Sequence, residues 1–362
     1  MNILKERIKM KQNKWYRVFA FMMAMAMMVC LMAACGAKEE PAPAAPAQDG
    51  NAAAAPAPAA KEKFKVGFSQ TGTETEWVVA MSDEIIASFQ GSELIDLQFS
   101  ESQAIQENQI KALRAYIQQG VDAIVLRPTV TTGWDTVLME AKDAGIPVIL
   151  AGRNAEMATG DINDYVMTYV GPNNINAGEH LANTMLSLFE DEEGPINVVV
   201  LEGTVGASAA TERNTGILNV INNQDKLVIY GSQSAEWTRT KGKEVMESFL
   251  KSAQAEGVEI RGVMAHSDDM ALGAIQAIEE AGLVPGEDIY LMGVDGAHGA
   301  FEAMVEGKYN ATVENPLGYG PVLLDILTAY FEDGTVPEPW VVLDNDVYTK
   351  DTAVEDLANR KW

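Results

Sequence analysis

From Phe64 onward the chain alternates short apolar runs with amphipathic helical stretches, and this rhythm limits the fold more than any single residue does. Strands are expected at 63–69, 94–99, 121–128 and 146–152, with a fifth beginning near Tyr165. The pattern then restarts, with strands at 196–201, 227–230, 261–265 and 289–293 and a further one within 308–321. Helices are expected between them, as where Ile105, Gln109/Ile110, Leu113 and Ile117 recur at spacings of three and four. Gly120, Gly145, Gly257 and Gly282 each close a helical stretch, as residues suited to a left-handed C-cap do. Strands that alternate with helices form parallel sheets covered on both faces. Roughly ten strands over the 299 residues after Lys63 exceed one comfortable open sheet. The expected fold is therefore α/β, with two doubly wound parallel-sheet lobes joined by a hinge. In such sheets ligands sit beyond the carboxyl ends of the strands, so residues just after each strand are the candidates.

The first strand is followed by Ser69, Gln70 and Thr71, then by Glu76 and Trp77 at a helix start. Arg127 follows the third strand, and Arg153, placed by Gly152, follows the fourth. A guanidinium holds five donors in a fixed fork, suited to capturing adjacent oxygens; an isolated strand-end arginine equally suits a surface ion pair. The loop 203–213 is glycine-rich, but no Gly-Lys-Ser/Thr follows, so phosphate transfer has little support. Arg213 lies in the first turns of the next helix. Trp237 precedes another helix, so each lobe has a tryptophan in an equivalent place. These indoles read either as core anchors or as faces that clamp a ring. Asp268 and Asp269 sit at a helix start, where carboxylates cap free amides. Asp295 stands in a glycine-permitted turn, and Glu314 and Asn315 end a later strand.

The formal net charge is −26, from 26 basic and 52 acidic residues. Such a field argues against nucleic acid and anionic lipid headgroups as partners. The two cysteines, Cys30 and Cys35, both precede the folded part, so a disulfide and a thiolate metal site are not expected there. His180, His266 and His298 have no metal-ligand spacing, and no nucleophile elbow or opposed carboxylate pair suggests catalysis. No metal, no cofactor and no enzyme activity are expected. The N-terminus carries Lys5, Arg7, Lys9, Lys11, Lys14 and Arg17 before a mostly apolar run over 18–34. That run is short of the ~20 residues of a membrane-spanning helix and ends in small residues, as signal peptides do; an uncleaved N-terminal helix is the alternative. Residues 36–63, rich in Ala and Pro, cannot bury enough surface to fold and read as a tether.

Leu31-Met32-Ala33-Ala34-Cys35-Gly36 resembles the lipobox of bacterial lipoproteins, which implies cleavage after residue 34 and acylation of Cys35. Losing six basic groups and one acid with residues 1–34 moves the balance from −26 to −31, which favours a neutral ligand over a phosphorylated one. Residues 64–355 resemble type I periplasmic sugar-binding proteins, the extracytoplasmic components of ABC importers, and most of all the galactofuranose-binding branch. The stretches that carry this are VGFSQTGTETEW (66–77), ENQIKALRAYIQQGVDAIVLRP (107–128), WDTVLMEAKDAGIPVIL (134–150), LEGTVGASAATER (201–213), SQSAEWTRTKGKEVMESFL (232–250), AHSDDMALGAIQAIEEAGLVPGEDI (265–289) and GVDG (293–296).

The resemblance implies a type I periplasmic binding protein fold, a neutral monosaccharide between two lobes, and a permease with its ATPase as partners. The protein is expected to be a monomer anchored by lipid on the outer face of the cytoplasmic membrane. Presentation of the ligand-bound form to a sensor kinase or chemoreceptor is the alternative role. The implied ligand contacts are Gln70, Trp77, Arg153, Arg213, Trp237, Ser267, Asp295, Glu314 and Asn315. The chain departs from the branch at Gly152, Val78 and Ser267, where the pattern has an aspartate, an arginine and an asparagine. The expected division is a signal segment 1–34, a tether 35–63, a first lobe of 64–168 with 316–342, and a second lobe of 169–315 with 343–362.

Overall fold

The computed structural model describes residues 63–358 and 360. The expected signal segment, Cys35 and the tether up to residue 62 lie outside the described residues. Two six-stranded sheets organise the rest. The first contains β1 (Phe64–Gln70), β2 (Ile95–Glu101), β3 (Ala123–Leu126), β4 (Val148–Ala151), β5 (Thr168–Pro172) and β11 (Trp340–Leu343), in the order β11-β5-β4-β3-β1-β2. Every neighbouring pair in it is parallel. The second contains β6 (Ile196–Glu202), β7 (Leu227–Ser234), β8 (Ile260–Ala265), β9 (Tyr290–Asp295), β10 (Ala311–Glu314) and β12 (Val347–Thr349), in the order β12-β10-β9-β8-β6-β7. The helices are α1 (Glu76–Gly91), α2 (Gln106–Gln119), α3 (Asp135–Asp143), α4 (Asn174–Leu188), α5 (Ser208–Ile221), α6 (Arg239–Glu256), α7 (Asp268–Glu280), α8 (His298–Val305), α9 (Tyr319–Asp333) and α10 (Ala353–Leu357).

Every residue of β3 and β4 is buried, as expected of strands covered on both faces. Two apolar layers flank each sheet. Trp77, Val78, Met81 and Ile85 of α1 pack with Tyr319, Leu323 and Leu327 of α9 on one side of the first sheet. Ala177, Leu181 and Met185 of α4 pack with Ile217 of α5 on one side of the second.

The parallel strands of both sheets end toward the same region, and the chain passes between sheets there three times. The first passage follows Pro172, not residue 168 as expected. Thr168–Pro172 pairs with both β4 and β11 and so belongs to the first sheet. The second passage follows β10 and leads into α9, and the third runs from β11 to β12 through residues 344–346. So short a link joins the carboxyl end of β11 to the same end of the second sheet. β12 must therefore run backward, and it pairs antiparallel with β10 through Ala311↔Thr349 and Val313↔Val347. The second sheet is thus mixed at one edge, where an all-parallel sheet was expected. No helix among the described residues is long and apolar enough to cross a membrane.

Candidate functional site

A cavity lies between the carboxyl ends of the two sheets, with about 330 Å³ of non-atom space, part of it open to solvent. The first lobe contributes Glu74, Thr75, Trp77, Val78, Arg127, Gly152 and Arg153. The second contributes Ala209, Arg213, Trp237 and Asp295, and Asn315 stands at the second passage.

On the first wall, the Thr75 hydroxyl accepts from the Val78 amide at 3.1 Å and starts α1. That cap fixes Trp77 in the opening turn. Its indole is buried, donates from Nε1 to the Asn315 carbonyl at 2.7 Å, and meets Tyr319 edge-on. Arg127 extends the ladder beyond β3, its amide donating to Ser69 O at 3.0 Å. The Arg127 guanidinium lies 5.4 Å from the Trp77 ring centroid, and its Nη1 donates to Thr71 Oγ1 at 2.7 Å. Arg153 follows Gly152, whose φ of +71° a side chain would strain. The Arg153 guanidinium sits 5.3 Å from the Trp237 ring of the opposite lobe, with one hydrogen bond, to Thr129 O at 3.3 Å.

On the second wall, Arg213 is tied twice within its own lobe: Nε donates to Asn174 Oδ1 at 3.1 Å, and Nη1 to the His266 carbonyl. Trp237 adopts a left-handed φ of +68°, rare for a bulky residue, and its indole lies against Gly203. A Cβ at Gly203 would fall 2.0 Å from that ring, so only glycine leaves the indole its place. Asp295 also has a positive φ, +140°, and its carboxylate accepts one long bond from Asn315 Nδ2 at 3.4 Å.

Burial dominates the electrostatics. It pulls Arg127, Arg153 and Arg213 below the usual guanidinium range and pushes Asp295 well above the usual carboxylate range, against the pull of Arg213. Seven buried side-chain polar atoms among the described residues have no hydrogen-bond partner, and four belong to cavity-lining residues: Nε of Arg127, Nε of Arg153, Nε1 of Trp237 and Oδ1 of Asn315. Such groups are normally satisfied. Here four of the residues that carry them line one space, as the polar groups of a ligand pocket do.

The lobes also touch around this space. Asn154 N donates to Ser208 Oγ at 2.8 Å, Thr131 N to Gly206 O at 2.7 Å, and Glu76 N to Asp269 Oδ2 at 3.0 Å. Arg239 pairs with Glu76 across the gap and with Asp269 in its own lobe, both at 2.5 Å.

Of the nine expected contacts, Trp77, Arg153, Arg213, Trp237, Asp295 and Asn315 line the cavity; Gln70, Ser267 and Glu314 do not. Gln70 is engaged locally, donating to Ser82 Oγ at 2.7 Å and accepting from Thr71 N at 2.8 Å. Ser267 is the N-cap of α7, its hydroxyl accepting from Met270 N at 3.4 Å. Glu314 pairs with Arg360 at 2.6 Å. Asp268, expected to cap its own helix, instead accepts from Gly296 N, Ala297 N, Tyr309 Oη and Thr312 Oγ1 at 2.8–2.9 Å. It thereby braces the turn that carries Asp295. Arg127, a strand-end candidate outside the nine, lines the cavity; its signal was its place directly after β3. Glu74, Thr75 and Ala209 carried no signal beyond lying in loops or at helix starts.

A family model described as a periplasmic binding protein domain matches residues 66–335. The chain is 45% identical over 297 residues to the galactofuranose-binding protein YtfQ of Escherichia coli (strain K12), covering 82% of this chain and 91% of that one. The binding protein of the arabinose ABC transporter from Shewanella sp. ANA-3, solved with α- and β-L-arabinofuranose, is 41% identical with a TM-score of 0.77, over 82% of this chain and 96% of that one. A Mycobacterium smegmatis structure in complex with β-D-fucofuranose is 38% identical with a TM-score of 0.77, over 82% and 94%.

Proposed function

The chain belongs to the type I periplasmic sugar-binding proteins, and we propose that it is the lipid-anchored receptor of an ABC importer, closing two lobes on one monosaccharide in its furanose form. The observation that carries this is that residues with unpaired buried donors and acceptors line one cavity from both lobes, together with two indoles. A sugar presents hydroxyls at its edge and C–H groups on its face, which suits guanidinia, a carboxylate and tryptophans together. The furanose form is favoured because the relatives at 38–45% identity are named for, or solved with, furanoses. Nothing in the arrangement calls for a chemical step. Binding shifts the balance between open and closed lobes, and the closed form is what a permease reads.

Calorimetry and thermal shift of the mature protein against pentoses and hexoses, including locked furanosides, test the receptor. At least one sugar should stabilise it, and no response to any sugar or sugar derivative overturns the reading. The anchor is tested separately. Cys35→Ala should release the protein from the membrane fraction, and intact mass of the wild type should show a diacylglyceryl-modified residue 35.

A further inference from the structure

The expectation of a neutral ligand rests on the family resemblance and on charge averaged over the chain, and the cavity has the opposite local balance. Its lining holds three guanidinia, from Arg127, Arg153 and Arg213, against two carboxylates, Asp295 and the half-buried Glu74. All three arginines are at least 96% buried. The surplus lies on the first wall. Asp295 and the carbonyl and amide oxygens that hold Arg213 are second-lobe groups, whereas Arg127 and Arg153 each have one hydrogen bond to a neutral oxygen and an unpaired Nε. Arg127 Nε reaches the backbone just before Arg153, and the Arg127 charge lowers Arg153 further. A Cβ at Gly152, the residue before Arg153, would stand 3.4 Å from Arg127 Nε. A buried charge without a counter-charge costs several kcal/mol, and a hydroxyl oxygen supplies an acceptor but no charge.

We infer that the ligand is a sugar acid, with its carboxylate held between the unpaired Nε–H groups of Arg127 and Arg153. The inference rests on the sugar-receptor reading above. A carboxylate offers two coplanar oxygens to two guanidinium donors and supplies one negative charge, matching a surplus of one. A phosphate dianion overshoots that surplus and faces Asp295 and Glu74. The mature charge of −31 slows the approach of any anion, but salt screens that field beyond about 10 Å at 0.1 M, and it does not reach the closed cavity's own balance.

The test is calorimetry of the mature protein with D-galacturonate, D-glucuronate and D-galactonate, each beside its methyl ester or lactone and its parent aldose, and with D-galactose 6-phosphate. At least one acid should bind ten times more tightly than both of its neutral counterparts. Arg127→Gln should reduce that ratio below threefold without lowering the melting temperature of the free protein. If neutral sugars bind as well as every acid, or the phosphate binds best, the inference is overturned while the receptor reading stands. If neither acid nor neutral sugar binds, both fall. If the ratio survives Arg127→Gln, the assigned pair of arginines is wrong.

Discussion

The two walls of the cavity are built from the same residue types but differ in how far their polar groups are already committed. On the second wall Arg213 has two intralobe hydrogen bonds, and Asp268 behind it takes four donors to brace the Asp295 turn. On the first wall Arg127 and Arg153 rest on indole faces with one bond each. The buried His and Asp side chains, His266, Asp268, Asp269 and Asp295, all belong to the second lobe. We propose that Arg213 of the second wall is organised before a ligand arrives, whereas Arg127 and Arg153 of the first complete their bonds on the ligand. Substitutions should separate stability from affinity along that line.

The largest effect is expected at Asp295, the one fully buried carboxylate among the lining residues. Its carboxylate has one weak partner, so most of its acceptor capacity faces the cavity. Charge-assisted bonds are worth roughly 1.5–3 kcal/mol. Asp295→Ala should weaken sugar binding by more than about tenfold and leave the ligand-free melting temperature nearly unchanged, since burial already disfavours the charge. Loss of fold with retained affinity would put Asp295 with the committed groups.

Next comes pH dependence, which the second wall should supply. Burial, helped by Arg213, lowers His266 to about 3, while burial raises Asp268 to about 6. Between pH 4.5 and 6 the unfolded chain holds a proton on His266 that the folded protein lacks, so this group makes stability rise with pH. Asp268 works in reverse: the folded protein holds the proton, so stability falls as pH rises toward 6, and Asp295 adds to that direction. His266 and Asp268 each contribute up to about 2 kcal/mol over that window, and in the wild type they oppose each other. His266→Gln should make the melting temperature fall more steeply from pH 4.5 to 6 than in the wild type, and Asp268→Asn should shift the slope in the rising direction. Parallel profiles for all three proteins would remove both groups from the titration.

The arginines give a smaller and more pointed contrast. Arg213→Ala strips donors from Asn174 Oδ1 and the His266 carbonyl, and an unsatisfied buried acceptor costs about 1–3 kcal/mol. Arg153→Ala loses one 3.3 Å bond and relieves an uncompensated charge, so ligand-free stability should hold while affinity falls. Equal losses of stability in the two variants would erase the distinction between the walls.

Much of this was legible in the sequence. The strand–helix rhythm has a physical period, and strand ends are where such folds place ligands; of the nine residues that the resemblance implied, six line the cavity. What the sequence left open were choices between neighbours. Nothing in the sequence shows that Gln70 turns back onto Ser82 and Thr71, or that Glu314 finds Arg360 46 residues later. Asp268 looked like a cap for its own helix because local spacing cannot reveal donors from residues 296–312. β11 and β12, of four and three residues and partly exposed, offer too few periods to read. The indoles are less a choice than an overlap. Trp77 and Trp237 sit in apolar clusters and line the cavity at once, so core anchor and ring contact describe the same side chains.

The smallest expected effect lies at the rim, where the walls meet. Arg239 is half exposed, and its pairs with Glu76 and Asp269 are the kind that salt weakens and that contribute under ~1 kcal/mol. Its position gives it more consequence than its energy. Removing the guanidinium leaves the Asp269 carboxylate facing Glu76 from the other lobe, with only the Glu76 amide bond at 3.0 Å still drawing them together. Arg239→Ala should therefore lower affinity two- to fivefold by disfavouring closure, with the cavity itself untouched. The loss should appear in the off-rate and shrink at 1 M salt, where the wild type loses the same contribution. The radius of gyration of the ligand-free variant should be no smaller than that of the wild type. An unchanged off-rate at low salt would mean that the rim ion pairs do not bear on closure, and that the committed and uncommitted walls alone set the affinity.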